Sequence, residues 1–264
     1  RTGFITTKGF RDVLEIGRQR RADVYNLFFQ RPRMLVERRH RYEVDERTEY
    51  DGFLTKKLAN SELLRVLEQV RADGIESIAV GFLNSYANPD NERIFVEAAR
   101  REMRYVTASS EVSNEYREYE RFSTAVVNAT LMPIIHRYIT TLASDVKALG
   151  VEAPLYVMQS NGGLASVKVV SEKPCTIVES GPAAGVIAAA WVAALVGERG
   201  VISFDMGGTT AKAGTVKGRY PEVVPEFEVA GHIHLGRLVK GSGYPVRFPF
   251  IDLAECSSGG GTII

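Results

Sequence analysis

The sequence predicts an α/β protein. Three observations carry that prediction. Helical and strand-like segments alternate from residue 60 to residue 107. Apolar runs of strand length end in polar, glycine-bearing turns, and residues 201–216 read as a strand, a glycine turn and a return strand. Alternation of this kind argues for a largely parallel sheet dressed with helices.

The elements follow in order. Residues 4–16 alternate weakly and then turn helical, with Gly9 as punctuation. Residues 18–41 are rich in arginine, but Glu37 interrupts them and Glu43, Asp45, Glu46, Glu49 and Asp51 follow at once. The aromatics Tyr25, Phe28 and Phe29 precede RPRMLVERRHR rather than interleave with it, so a solvated surface or subunit contact fits better than a nucleic-acid patch, with His40 exposed. Residues 60–73 form an amphipathic helix capped by Asn60 or Ser61, with Leu63, Leu64, Leu67 and Val70 as its apolar stripe. Residues 75–83 read as a buried strand, and Asn88-Pro89-Asp90 starts a helix that reaches about Met103. A short strand follows at 105–107. Helical periodicity then fills residues 117–149, where Pro133 should kink or divide the helix and His136 reads as a packing or partly exposed histidine.

The second half carries the turns. Residues 154–160 make a strand that ends at Ser160-Asn161-Gly162-Gly163, either a ligand turn at a strand end or a plain hairpin turn. Residues 176–178 read as a short strand. Glu179-Ser180-Gly181-Pro182 then opens an alanine-rich helix through 196, with Ser180 as N-cap and Trp191 anchoring its far side. The free N–H groups around Ser180 and Gly181 are a candidate anion site, and a capped helix under the sheet is the alternative. Edge-like strands are expected around 221–230 and 245–253. His232 and His234 between them are too few to define a metal site.

The stretch VISFDMGGTTAKAGTV organises the rest. Asp205 ends an apolar strand, Gly207 and Gly208 make a tight turn, and Thr209 and Thr210 add hydroxyls. Glycines let backbone N–H groups approach an anion, and a carboxylate at the strand end can hold Mg²⁺ or orient a water. A Walker loop or a dinucleotide fingerprint would open a helix after its glycines, and neither is present. A D-x-G-G-T-T hairpin is the phosphate-loop style of the actin, sugar kinase and Hsp70 ATPases. An ordinary β-turn with an acidic neighbour is the bland alternative. A third glycine turn, Gly259-Gly260-Gly261, closes IDLAECSSGGGTII, and Cys256 beside it lacks a visible histidine base.

Composition excludes some classes. The chain of 264 residues is 45% hydrophobic and 25% charged, with a formal net charge of +1. That balance gives no electrostatic case for nucleic acid or an anionic membrane. The best apolar run, residues 186–196, falls well short of the roughly 20 residues a membrane span needs. Cys175 and Cys256 are no disulfide framework, so reduced thiols and a cytoplasmic location are expected. Both ends look cut, as expected of a piece of a longer protein.

Taken together, FITTKGFRDVLEIGRQ, VESGPAAGVIAAA, FDMGGTTAK and IDLAECSSGGGTI, in this order, resemble the hydantoinase A / 5-oxoprolinase family. The family's relatives include acetone and acetophenone carboxylases and caprolactamase-type hydrolases. The resemblance implies an actin-like ATPase (ribonuclease H-like) fold, incomplete in this chain. Residues 1–175 would be the remainder of an N-terminal lobe, and 176–264 the start of a second lobe. It implies ATP and Mg²⁺ as cofactors, phosphoryl transfer that activates a cyclic amide or a ketone, and a second, hydantoinase B-type subunit or domain. Asp205 would then be the catalytic, metal-holding or water-orienting carboxylate. Gly207, Gly208, Thr209 and Thr210 would cradle phosphates, and Gly259, Gly260 and Gly261 would approach the nucleotide. Asn161, Gly162, Ser180 and Gly181 would be secondary contacts. The family's first D-x-G-G-T loop does not occur before residue 205, so this stretch alone is expected to bind ATP weakly or not at all and not to turn over. A sugar or acyl kinase and a non-catalytic assembly subunit are the other classes, and the first and second of these stretches speak against the kinase.

Overall fold

The computed structural model describes residues 1–234 and 236–261. In chain order the elements are β1 (Thr2–Thr7), α1 (Val13–Ile16), β2 (Arg41–Val44), β3 (Arg47–Thr48), β4 (Leu54–Lys56), α2 (Asn60–Ala72), β5 (Ser77–Gly81), α3 (Asp90–Ala99), β6 (Tyr105–Ala108), α4 (Ser109–Val112) and α5 (Glu118–Ala148). Then come β7 (Tyr156–Met158), β8 (Leu164–Ser166), α6 (Val167–Glu172), α7 (Ser180–Leu195), β9 (Gly200–Met206), β10 (Ala211–Lys217), β11 (Tyr220–Pro221), β12 (Val223–Val229), β13 (Ile233–His234), β14 (Arg237–Leu238), β15 (Tyr244–Ile251) and β16 (Leu253–Cys256). They divide into two compact units. One comprises Arg1–Gln19, Pro32–Asp145 and Ser171–Cys175, the other Arg20–Arg31, Val146–Val170 and Thr176–Ile264.

The first unit is built on a parallel sheet in the order β2-β1-β5-β6. Successive side chains of a strand face opposite sides, so one face of β1 gives Ile5 to a core with α2 and α3, and the other gives Phe4 to a core with α5. Every residue of β5 is buried, as expected of a strand covered on both faces. The buried charges Glu92 and Arg121 of this unit are tied down. Glu92 accepts hydrogen bonds from Phe82 N, Ser109 Oγ, Ser110 N and Ser110 Oγ, at 2.7–3.0 Å. Arg121 is fully buried and donates to the carbonyls of Phe82 (2.8 Å) and Glu115 (3.0 Å). Such groups are tolerable inside only because each has partners.

Some local expectations are revised here. In α2 the buried stripe is Leu63, Val66, Leu67 and Val70, while Leu64 is exposed and the N-cap is Ala59, without a side-chain bond. Helix α5 runs unbroken through Pro133. His40 is buried rather than exposed: it ends a short 3-10 turn, Arg38–His40, directly before β2, whose first residue Arg41 reaches Glu15 at 2.8 Å. His136 lies against Tyr105 and Arg104, and burial followed by the neighbouring guanidinium lowers its pKa.

The second unit carries an antiparallel sheet. β10 pairs β9 on one side and β16 and β11 on the other. Helix α7 covers one face, where Ala183 and Val186 meet Val216, Ile251 and Leu253. That approach is close. A Cβ on Gly214 would lie 2.4 Å from Val186 Cγ2, so the strand needs glycine there. The opposite face of β9 shows Ile202 (74% exposed), Phe204 (65%) and Met206 (55%). Ribbons β12–β15, β13–β14 and β7–β8 complete the unit. Residues 176–178 form no strand. Pro174 starts a short 3-10 turn through Ile177, and the Thr176 carbonyl is taken by Ser160 N instead of a ladder partner. Trp191 is 65% exposed and does not anchor α7, whose apolar residues run all round it and single out no buried face. Among the described residues no helix is long and apolar enough to cross a membrane.

Candidate functional site: a glycine hairpin and its ionic rung

The hairpin at the centre of the second unit forms because strong strand residues flank a turn with no side-chain bulk. β9 and β10 pair from Gly200 opposite Lys217 to Met206 opposite Ala211. Gly207 N donates to Thr210 O at 2.9 Å and closes the turn. At its tip the N–H groups of Gly208 and Thr209 make no hydrogen bond among the described residues, and both residues are exposed. Two free donors beside two threonine hydroxyls form a cradle for an anion.

The third glycine turn lies on the Gly207–Thr210 turn. Gly260 N donates to Gly207 O at 3.0 Å, and Gly261 N to Gly208 O at 2.9 Å. A Cβ on Gly259 would sit 2.6 Å from Gly208 C and from Thr209 N, so nothing larger than glycine fits there without displacing backbone. Gly259, Gly260 and Gly261 therefore brace the Gly207–Thr210 turn from behind and leave its tip donors free. Thr262, which follows them, lies outside the described residues.

Asp205 is exposed and stands one residue from the end of β9. Its carboxylate forms no ion pair or hydrogen bond among the described residues. Directly across the ladder from it is Lys212, and across from Lys212 on the far side is Glu255. The three share one face of the sheet, an acid–base–acid rung. The ammonium of Lys212 lies 2.5 Å from Glu179 Oε2 and 3.4 Å from Glu255 Oε2. Burial alone would lower the Lys212 pKa, but the hydrogen bond and charge of Glu179, then the charge of Glu255, outweigh it and raise it.

Glu179 comes from the start of α7. It is the N-cap residue, without a side-chain cap, and its N–H donates to Ser160 Oγ at 3.1 Å. Ser180 is the first helical residue, not the cap, and Gly181 has open space where a side chain would be. Asn161 spends its side-chain oxygen on Gly163 N at 2.8 Å. Gly162, at φ +84°, packs so close to Ile187 that a Cβ would lie 2.7 Å from it. This segment is the turn of the β7–β8 hairpin seated on α7. Lys212, Glu179 and Glu255 escaped sequence reasoning as a set. The signal that finds them is register: a lysine in an alternating strand matters once both its cross-strand neighbours prove acidic.

No group of three or more His, Cys, Asp or Glu that could hold a metal occurs among the described residues. A single exposed carboxylate beside a phosphate cradle still suits Mg²⁺, which keeps its waters and is held through one or two carboxylates plus the phosphates themselves. Cys175 is buried, and burial pushes its thiol up to about 12, while Cys256 is exposed.

Comparison with known proteins defines first the class and then the family. The chain superposes on the ATP-dependent caprolactamase of Pseudomonas jessenii with a TM-score of 0.84 and 30% identity, covering 99% of this chain and 37% of that one. It also superposes on a nucleotide-free acetone carboxylase structure with a TM-score of 0.79 and 21% identity, over 98% of this chain and 36% of that one, which speaks to fold alone. The fold is the hydantoinase/actin-like ATPase α/β fold. The profile described as Hydantoinase/oxoprolinase matches residues 121–264, and that of the Hydantoinase/oxoprolinase N-terminal region matches residues 1–103. The chain belongs to the hydantoinase/oxoprolinase family. An uncharacterized protein of Methanocaldococcus jannaschii is 49% identical over 98% of this chain, which spans 38% of that relative's length.

Proposed function

We propose that this chain is the nucleotide-handling part of an ATP-dependent cyclic amide hydrolase, acting on a hydantoin, oxoproline or lactam ring. The observation that carries the reading is the exposed Gly207–Thr210 turn. Among the described residues its two N–H donors are unused, its back is braced by the third glycine run, and an unpaired Asp205 stands beside it. In this reading Gly208 and Thr209 hold phosphate oxygens through backbone N–H groups, and the hydroxyls of Thr209 and Thr210 add donors. Asp205 holds Mg²⁺ or orients a water. ATP supplies, when bound, a transferable phosphoryl group that activates an otherwise poor carbonyl electrophile. Asn161, Gly162, Ser180 and Gly181 would be secondary contacts in this reading.

The hydrolase assignment rests on the family and on the likeness to caprolactamase at 30% identity. A ketone carboxylase would share this phosphate chemistry and differ in its acceptor. A non-catalytic assembly subunit would keep the fold without binding nucleotide. A second subunit or domain, a cytoplasmic location and a site completed by further polypeptide belong to the same proposal. Calorimetric titration of Mg-ATP into the intact protein tests it. Binding that Asp205→Ala abolishes, together with ATP-dependent ring opening of a cyclic amide, is the expected result. An intact protein that binds no nucleotide at millimolar Mg-ATP sinks the ATPase reading and leaves the assembly-subunit reading in its place.

A further inference from the structure

Asp205, Lys212 and Glu255 occupy one rung of the sheet, with the lysine in the middle. Directly opposed residues on a sheet face lie close enough for any long side chain to span them. Lys212 could therefore neutralise Asp205 as readily as Glu255. It does not. Its ammonium is turned to Glu255 and to Glu179, which reaches in from the start of α7, and Asp205 is left without a partner among the described residues. The lysine and both glutamates are largely buried, with side-chain exposures of 14%, 16% and 21%, whereas Asp205 is exposed. Beside them lies a cavity of only about 10 Å³, which Glu179, Lys212 and Glu255 help to line, so the three groups fill their own space.

We propose that Glu179 and Glu255 form a latch that holds the Lys212 ammonium off Asp205, keeping that carboxylate free for the Mg²⁺ of a bound nucleotide. The three are positioning residues for the glycine hairpin. Glu179 joins the start of α7 to β10, Glu255 joins β16 to β10, and Lys212 is where the two meet. The latch rests on the nucleotide reading of the hairpin. Its distinct content is that Lys212 becomes inhibitory once its two partners lose their charge. A lysine that touched phosphate would behave in the opposite way.

The test is Mg-ATP affinity, measured by calorimetry in the intact protein, with thermal melting to check folding. Glu179→Gln with Glu255→Gln keeps the shapes and removes the charges, so Lys212 turns to Asp205. The expected loss is up to about fivefold in affinity, the upper end for one partly exposed ion pair. Adding Lys212→Met to that pair restores affinity to within about twofold of wild type. Should the double glutamine variant fail to fold, Lys212→Met alone decides, with affinity kept within about threefold because Asp205 stays free. A triple variant no better than the double, or a Lys212→Met protein as impaired as Asp205→Ala, overturns the latch while the nucleotide reading stands. A wild-type protein that binds no Mg-ATP overturns both.

Discussion

The two units use polar groups in opposite ways. In the first, buried charge is consumed internally: Glu92 collects four donors and Arg121 bridges two carbonyls, behind a parallel sheet covered on both faces. In the second, the sheet is covered by α7 on one face, and the groups at its hairpin end are left unspent. Among the described residues two N–H donors and a carboxylate lack partners there, while the neighbouring lysine is tied elsewhere. A satisfied network stabilises a scaffold, and an unsatisfied but braced one is available to a ligand. The contrast separates architecture from chemistry without any bound molecule.

The largest expected effect strikes the scaffold. Arg121→Leu leaves the buried Phe82 carbonyl without its donor and removes the guanidinium charge that Glu92 and Glu118 face, and should cost about 3–5 kcal/mol. The single tryptophan of this sequence, Trp191, sits in the second unit, so its fluorescence reports that unit alone while far-UV circular dichroism reports both. In urea the dichroism transition should move to lower denaturant ahead of the fluorescence transition. Coincident shifts in both signals would show one cooperative block and dissolve the contrast.

Next comes the packing of the second unit. Gly214→Ala drives a methyl into the buried Val186 and should destabilise this unit by about 1–3 kcal/mol. Val186→Ala in the same chain should recover part of that loss, read from the fluorescence midpoint. A double variant worse than the sum of the two singles would mean that the helix, not the side chain, sets the spacing. Gly259→Ala is aimed at the brace. Its methyl would displace the backbone of Gly208 and Thr209, so Mg-ATP affinity in the intact protein should fall by about tenfold or more, for a stability loss near 1 kcal/mol. A melt that drops with affinity intact would make the third glycine run a packing device only. The smallest effect is chemical. Iodoacetamide at pH 8 should label Cys256 and spare Cys175, whose burial suppresses its thiolate, as mass spectrometry of tryptic peptides would show.

Local chemistry made much of this legible. The alternation from α2 to β6 and the hairpin at Asp205 are written in apolar period and turn glycines, which act over a few residues. Missed features depend on partners distant in sequence. The Glu179–Lys212–Glu255 cluster exists only because β10 sits between β9 and β16 in a particular register. Residues 176–178 carry strand propensity, yet their carbonyl at Thr176 was claimed by a turn at Ser160. An all-apolar helix such as α7 hides its own orientation, so its sequence does not reveal that Trp191 is exposed and anchors nothing.

Strand β9 has a handling consequence. Among the described residues its outer edge has no strand partner, and Ile202, Phe204 and Met206 stand in a row on its bare face. A naked, unbranched ribbon of that kind is adhesive. Preparations that leave it bare will gain mass with concentration by edge-to-edge growth, scattering more light while their dichroism stays native. One lysine at Ile202 would be enough to keep them clear.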